Sequence, residues 1–594
     1  MTTVLQINEK PQTQETKDVK YTVITFAPVQ GFIEKSRKLR DLYGASQILS
    51  YLSYRIVEEA KKLNGIKVIS PAIKDGELSI DLIQGMPNRI LIVGEIERDR
   101  AFNLFRDTLD NAWSEIIIAC KDWVESKVKN DINHKYDWKK YDWKMSWKRW
   151  EMHAWEIFVG QNNSKDDQNN PIHSAMRDLE TRKLRRAWTI PNWNGESSSL
   201  SGHDAIAYPN MDRQITRESK QNQQDLSEEI KAFYTALAIK TDPNGKENDR
   251  AYINENERLS IPELIKRLVT YEDIRNQIDY YRVITQEDRK AFELESFPKY
   301  FRKNEKTQET YWTGWFMGDG DRIGNYLNSL SNADQVREFS LCLRDWGRDF
   351  KSFNLGRVVY AGGDDFLGVI YGTEDKPRRD KQEVVDWLCG LRDQWEKLRE
   401  NMRSKGLRVN EGDEPDVSLS VGFVWAGHSV PQRDVLQHCR EAEKLAKNLG
   451  RDRVTIRVVF NNGQYVQWTT PWECLEWLKD YKDRDGKKAY CKNKTTDKLE
   501  WQKANWNHVY SDLGQLKARH AIPPATADKP KDDIAIELLS LYFDKDKEKE
   551  KKKMLSKSKW RKHLTGIDGD KQNQAVIAWI EGMILVGWQL CSNI

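Results

Sequence analysis

Three carboxylates carry the chemistry this sequence could perform. Two are adjacent, in Val358-Val359-Tyr360-Ala361-Gly362-Gly363-Asp364-Asp365-Phe366-Leu367-Gly368-Val369-Ile370-Tyr371. Runs rich in β-branched and aromatic residues flank Gly-Gly-Asp-Asp, so the stretch predicts a β-hairpin with acids at its tip. Gly362 and Gly363 supply the positive φ a tight turn needs and leave room for a bulky ligand. Adjacent carboxylates repel each other, and a cation relieves that repulsion. Hard oxygen donors of this kind suit Mg²⁺ or Mn²⁺. Taken alone, the tetrapeptide reads equally as a solvated turn, because Gly and Asp are common turn residues.

Asp319 tips the balance toward chemistry. Tyr311-Trp312-Thr313-Gly314-Trp315-Phe316-Met317 reads as a buried strand, followed by Gly318-Asp319-Gly320-Asp321-Arg322-Ile323-Gly324. Asp319 falls at the strand's end, Gly320 lets a phosphate approach the backbone, and Asp321 opens the next helix, whose N-terminal amides attract anions. A strand-end Asp beside an acidic hairpin suits a nucleotide–metal site of the palm polymerase or cyclase type. There, two cations about 3.5–4 Å apart hold a triphosphate and activate a ribose hydroxyl. The helix Gln432–Leu449 ends in Ala442-Glu443-Lys444-Leu445-Ala446-Lys447-Asn448-Leu449-Gly450-Arg451. Lys444, Lys447 and Arg451 could reach a triphosphate; a solvated helix end, with cations favoured by the helix dipole, accounts for them equally well.

The elements that must position these groups occur twice. Residues 306–470 read as βαββαβ: a strand through Phe316, a helix within 322–352, the hairpin, a helix over 381–403, a polar loop at 404–415 and a strand at Val417–Val424. Residues 20–130 open in the same order, with a strand at Tyr21–Val29, one helix over Gln30–Lys62, strands at Ile66–Ile69 and Arg89–Val93, and a helix over Arg98–Val128. Ala27 and Pro28 stand where the later copy has Asp319, and no acidic hairpin follows, so this half reads as a palm without the chemistry. The expected fold is α+β: two ferredoxin-like palms, a helical insert over 131–305 and a helical region over 471–594, after a disordered tail at 1–19.

Composition narrows the partners. The 96 basic and 92 acidic side chains of the 594 residues nearly cancel, so attraction to nucleic acid must come from local patches. Trp138, Trp143, Trp147, Trp150 and Trp155 alternate with lysines and could stack bases or pack as the face of an amphipathic helix; packing is the simpler account. The seven cysteines contain no C-x-x-C pair, which fits a reducing cytoplasm. The first twenty residues lack an apolar signal core. The run Val576–Trp588, interrupted by Glu581, reads as too short to span a bilayer, so no membrane partner is expected. His203-Asp204 has no companion set of His/Asp ligands and reads as a loop feature. The Lys/Glu run at 544–553 reads as an exposed loop or frayed helix.

With these residues in view, the chain resembles the large polymerase subunit of type III CRISPR RNA-guided effector complexes, most closely the Cmr-type (III-B) branch. The match is carried by Ala27-Pro28-Val29-Gln30-Gly31-Phe32-Ile33 with Ser36 to Tyr43 and Ser46, by Gly85-Met86-Pro87-Asn88-Arg89, and by the three motifs above, over roughly 20–460. The resemblance implies a subunit working with guide RNA, target RNA and other subunits. On target recognition, it would join ATP into cyclic oligoadenylate. It places the two-metal site (Mg²⁺ or Mn²⁺) on Asp319, Asp364 and Asp365. It leaves Gly318, Gly320, Asp321, Gly362, Gly363, Lys444, Lys447 and Arg451 around the nucleotide, with Lys447 on the triphosphate by similarity to diguanylate cyclases. Two departures bear on function. Only about twenty residues precede the first palm, too few for the HD-type nuclease domain of many relatives. Ser198-Ser199-Leu200-Ser201-Gly202 stands where relatives often have a zinc-binding C-x-x-C-G, so no zinc is expected. Two other readings remain open: a different acceptor or a cyclic dinucleotide product at the same site, and a non-catalytic RNA scaffold.

Overall fold

The computed structural model describes residues 20–73, 86–128, 141–162, 170–185, 195–209, 220–241, 253–278, 302–303, 307–330, 332–350, 353–372, 376–407, 417–493, 498–524 and 530–592. The tail expected over 1–19, Gly85, Trp138 and most of the polar loop at 404–415 lie outside them.

Strand β1 (Tyr21–Ala27) is an almost unbroken apolar and β-branched run because both its faces are covered. Tyr21 and Val23 enter a core shared with the second half of the chain, while Ile24 and Phe26 meet the helices of the first half, as the two-residue strand period dictates. The single helix expected over Gln30–Lys62 is instead two, α1 (Val29–Glu34) and α2 (Leu39–Lys62). Buried Asp41 causes the break: it accepts the Lys38 amide (3.2 Å) and the Arg267 Nε (2.6 Å), which restarts the helix at Leu39. There follow β2 (Lys67–Ser70), β3 (Arg89–Val93), α3 (Arg98–Val128), α4 (Tyr141–His153), β4 (Glu156–Gln161) and α5 (Pro171–Lys183).

The boundary expected at 130 falls inside this first sheet. β4 pairs antiparallel with β1 and closes the order β2-β3-β1-β4, because its Ile157, Phe158 and Val159 are buried between α3 and α5. In α4, Trp143 and Trp147 are buried, and Trp143 Nε1 donates to Glu125 Oε1 (2.8 Å), so these indoles serve packing. Beyond α5 the insert supplies α6 (Lys220–Thr241), α7 (Ile261–Leu268) and α8 (Glu272–Arg275). At the serine turn, Ser198 Oγ donates to Glu263 Oε2 (2.5 Å), and Glu263 also accepts the amides of Ser201 (3.1 Å) and Ser260 (2.8 Å).

The second half comprises β5 (Thr313–Asp321), α9 (Ile323–Ser329), α10 (Ala333–Asp349), β6 (Gly356–Gly362), β7 (Asp365–Ile370), α11 (Lys381–Ser404), β8 (Ser418–Ala426), α12 (Gln432–Asn448), β9 (Arg453–Val459) and β10 (Tyr465–Pro471). Its sheet runs β10-β9-β8-β5-β7-β6. The part β8-β5-β7-β6 repeats the permutation β4-β1-β3-β2, so both halves are βαββαβ palms. β9 and β10 extend the second palm beyond its expected strands. Asp321 is the last residue of β5, not the first of a helix; Arg322, at φ 59°, caps α9.

The C-terminal region holds α13 (Trp472–Leu475), α14 (Trp477–Asp480), β11 (Tyr490–Lys492), β12 (Leu499–Trp501), α15 (Asn507–Ala518), α16 (Asp533–Ser540), α17 (Lys545–Ser556), α18 (Ser558–Thr565) and α19 (Gln572–Cys591). It was expected to be wholly helical, but β11 and β12 pair as a small antiparallel sheet. The Lys/Glu run expected as an exposed loop lies largely in helix α17. It is anchored by Lys551, which is buried beneath the Trp477 and Phe543 rings and donates to Asp480 (2.7 Å). The apolar run expected to be too short for a bilayer belongs to a helix that is long and apolar enough to cross one. It packs on β10, with Trp579 against Trp468 and Trp477, and Glu581 pairs with Lys517 (3.0 Å).

Candidate nucleotide–metal site

Asp319 and Asp321 lie two apart near the end of β5 and therefore share one face of the sheet. Helix α12 covers that face. Its Lys447 amine reaches Asp319 Oδ2 and also Glu443 Oε1 (2.5 Å), one helical turn earlier. Burial alone would lower the Lys447 pKa, but its hydrogen bonds to Asp319 and Glu443 outweigh this and raise it, so the ammonium stays charged. Glu443 is a site residue the sequence reading did not single out. Its only signal was the i,i+4 spacing to Lys447, which is common on helix surfaces.

The hairpin delivers the other two acids. Its two-residue turn is Gly363–Asp364, with Gly363 at φ 70° and Asp365 opening β7 opposite Gly362. Gly320 was expected to admit a phosphate, but it first admits the hairpin. A Cβ there would lie 2.9 Å from Asp364 Cβ and 2.8 Å from Ile323 Cγ1, and the Gly320 amide donates to Asp364 O (3.2 Å). Gly318 likewise makes room for the Phe366 ring across the β5–β7 pair. Burial, then the charge of Asp319, pushes the Asp364 carboxyl up to about 7. Asp365 presents an edge to solvent, yet crowding around its carboxyl, a hydrogen bond with Asp319 and the charges of Asp319 and Asp364 push it well up. Asp319 is thus the shared neighbour of both hairpin acids. A divalent cation would reverse these shifts, and an all-carboxylate donor set fits Mg²⁺ or Mn²⁺ better than a softer ion.

Asp321 is engaged differently. Fully buried, it accepts the hydroxyls of Ser418 (2.9 Å) and Ser420 (2.8 Å) and the amide of Asp452 (3.0 Å), with Arg451 Nε 3.9 Å away. Its carboxylate pins the turn that follows α12, where Arg451 (φ 66°) and Asp452 (φ 51°) sit in the left-handed region. Such strain persists only where neighbours over-determine it. The C-terminal region grips the same turn. Arg453 donates to the carbonyls of Leu564 (3.4 Å) and His563 (3.2 Å), and Gly566 (φ 74°) sits so close that a Cβ would lie 1.9 Å from Leu449 O. Lys444 is exposed and makes no ion pair with the three acids. Elsewhere among the described residues, Asp483, Asp485 and His508 bring ligand atoms within 4.8 Å of one another. There Asp483 accepts the amides of Lys487 (2.9 Å) and Asn505 (2.8 Å) and so closes a turn.

A cavity of about 350 Å³ opens between the palms. Pro71, Asn88 and Leu91 line it from the first, Phe339 and Arg344 from the second, and Gly362–Asp365 reach its wall. The same seam is hydrogen-bonded: Ser340 Oγ accepts the Ala72 amide (2.9 Å), Arg344 donates to Ala72 O (3.0 Å) and Arg337 to Ile73 O (2.9 Å).

The family model described as Cas10/Cmr2, second palm domain, matches residues 312–455, and that described as CRISPR-associated protein Cmr2, N-terminal, matches residues 21–118. Similar solved structures include the type III-B Cmr-beta complex bound to cognate target RNA (11% identity, TM-score 0.46, covering 96% of this chain and 83% of that one). Others are its apo state (12%, 0.44, 76% and 70%) and Csm1 of T. onnurineus (12%, 0.40, 97% and 70%). No curated protein matches the chain. The two family matches fall on the two palm regions in the expected order, one on each, and it is to the Cas10/Cmr2 palm and N-terminal models that these two stretches are similar.

Proposed function

We propose that this chain is the subunit of a type III CRISPR effector complex that converts ATP into cyclic oligoadenylate on recognition of target RNA. The observation that carries the reading is the approach of Asp319, Asp364, Asp365 and Lys447 to one another beside a nucleotide-sized cavity between two palms. In this reading Asp319, Asp364 and Asp365 hold Mg²⁺ or Mn²⁺. The cations supply charge neutralisation for the triphosphate and acidify the attacking ribose hydroxyl. A ribose hydroxyl of one ATP forms a bond to the α-phosphorus of the next, pyrophosphate leaves, and the hydroxyl proton passes to solvent. Lys447 meets the triphosphate, Gly362 and Gly363 keep the hairpin tip open to it, and the interpalm cavity receives the base and ribose. Positioning and charge account for such a reaction, since the phosphoryl group itself needs no covalent help from the protein.

Guide RNA, target RNA and further subunits are the proposed partners, with RNA state as the switch. The seam through Ser340, Arg337 and Arg344 supports this, because a small shift between the palms would re-aim a site that tolerates about 1 Å of error. The test is to incubate the assembled ribonucleoprotein with labelled ATP and Mg²⁺ or Mn²⁺, with and without target RNA, and identify products by mass. Cyclic oligoadenylate formed only with target, and lost in the Asp364→Ala/Asp365→Ala double variant with RNA binding intact, supports the proposal. Undiminished product from that variant, or equal rates without target, would refute it.

A further inference from the structure

Lys447 stands between two carboxylates, and only one of them belongs to the acidic set. Asp319 is on β5; Glu443 is on α12 itself, its side chain 15% exposed. Helix α12 is seated firmly: at Gly422 of β8 a Cβ would lie 2.3 Å from Cys439 O and 2.5 Å from the Glu443 nitrogen. The backbone that carries Glu443 is therefore held against the sheet, and the partner of its carboxylate is the end of a long lysine side chain. A divalent cation on the Asp319 oxygen that Lys447 holds would sit at contact distance from the ammonium, and the two repel. A cation that takes this oxygen therefore drives Lys447 off it.

We propose that Glu443 is a positioning residue: the second seat that holds Lys447 beside the acidic set once a divalent cation displaces it from Asp319. This rests on the reading that Asp319 binds the cation. Without Glu443 the displaced ammonium would lose its second carboxylate partner among the described residues and face the cation without it. With it, Lys447 keeps a partner at 2.5 Å and stays directed at the space a triphosphate would enter. Lys447 is in turn a placeholder that neutralises Asp319 until the cation arrives.

The test is direct Mn²⁺ titration of the purified full chain, without nucleotide or RNA, reading free Mn²⁺ by electron paramagnetic resonance. Glu443→Gln should weaken Mn²⁺ binding about fivefold, the worth of one half-buried ion pair. Lys447→Met should tighten it by a similar factor. In the Lys447→Met background, adding Glu443→Gln should change nothing, because there is no ammonium left to seat. Equal weakening by Glu443→Gln in both backgrounds would mean that Glu443 acts only as a nearby negative charge, and would overturn this inference alone. Unchanged or weaker binding in Lys447→Met would also overturn it, independently of how Glu443→Gln folds. Wild-type chain whose Mn²⁺ binding is absent, or insensitive to Asp319→Asn, would overturn the metal reading beneath it.

Discussion

Gly320→Ala probes the close approach on which the site depends. The added methyl would lie 2.9 Å from Asp364 Cβ and 2.8 Å from Ile323 Cγ1, whereas carbons rest at about 3.5–4.0 Å. The hairpin must therefore retreat from β5 by roughly 0.6–1 Å. Neither neighbour is the far end of a flexible side chain: one is the Cβ of Asp364, the other lies on the helix that follows the strand. A displacement near 1 Å costs about a hundredfold in a positioned reaction, while overpacking of this kind costs about 1–3 kcal/mol of stability. The expected outcome is a chain that folds, melts slightly earlier, binds target RNA in the complex, and makes product about a hundredfold more slowly at saturating ATP. The assay is product formation by the reconstituted complex, with a melting curve of the same preparation. A folded variant within about twofold of wild type would show that hairpin placement is not what Gly320 protects.

Three further outcomes are expected. Asp321→Asn should lower the unfolding free energy read from urea titration by about 3 kcal/mol, because it leaves the hydroxyls of Ser418 and Ser420 and the Asp452 amide poorly matched in a buried place. Glu257 bears on acid stability. Burial raises its pKa, but Arg267 and Lys38 outweigh this and hold it down at about 2. A carboxyl depressed on folding gives stability that is complete above its unfolded pKa and lost as pH falls toward the folded one. Melting temperature between about pH 5 and 3 should therefore drop more steeply in wild type than in Glu257→Gln. Gly566→Ala, forced against Leu449 O at a positive φ, should cost about 2 kcal/mol or more and make α18 a faster target for limited proteolysis.

The palms were legible because β1 and the first half of β5 are buried on both faces and so read as short runs of apolar and β-branched residues. β4 was not, since Glu156–Gln161 follows a Trp-rich helix and is only six residues long; its partner β1 is far away in sequence, and burial between α3 and α5 sets the pairing. β9 was missed for another reason. Arg453 and Arg457 break its apolar pattern, yet both are buried, one satisfied by carbonyls of α18 and the other by Gln467 and Glu441. At the site, Asp319, Asp364, Asp365 and Lys447 come from three separate stretches and lie beside one another. The division of labour between Asp319 and Asp321 was hidden, because two acids on one strand face differ only in what α12 and its following turn place above each. Glu443 was hidden by its ordinariness.

The turn after α12 has one more consequence. It is fastened on one side to the sheet through Asp321 and on the other to the far C-terminal helices through the His563 and Leu564 carbonyls and the Leu449–Gly566 contact. Two residues before it stands Lys447. A force applied to α18 by anything bound there meets the palm through these contacts, one turn away from the cationic end of α12. The C-terminal helices and the end of α12 that carries Lys447 thus share one fastening, and what strains one is felt at the other.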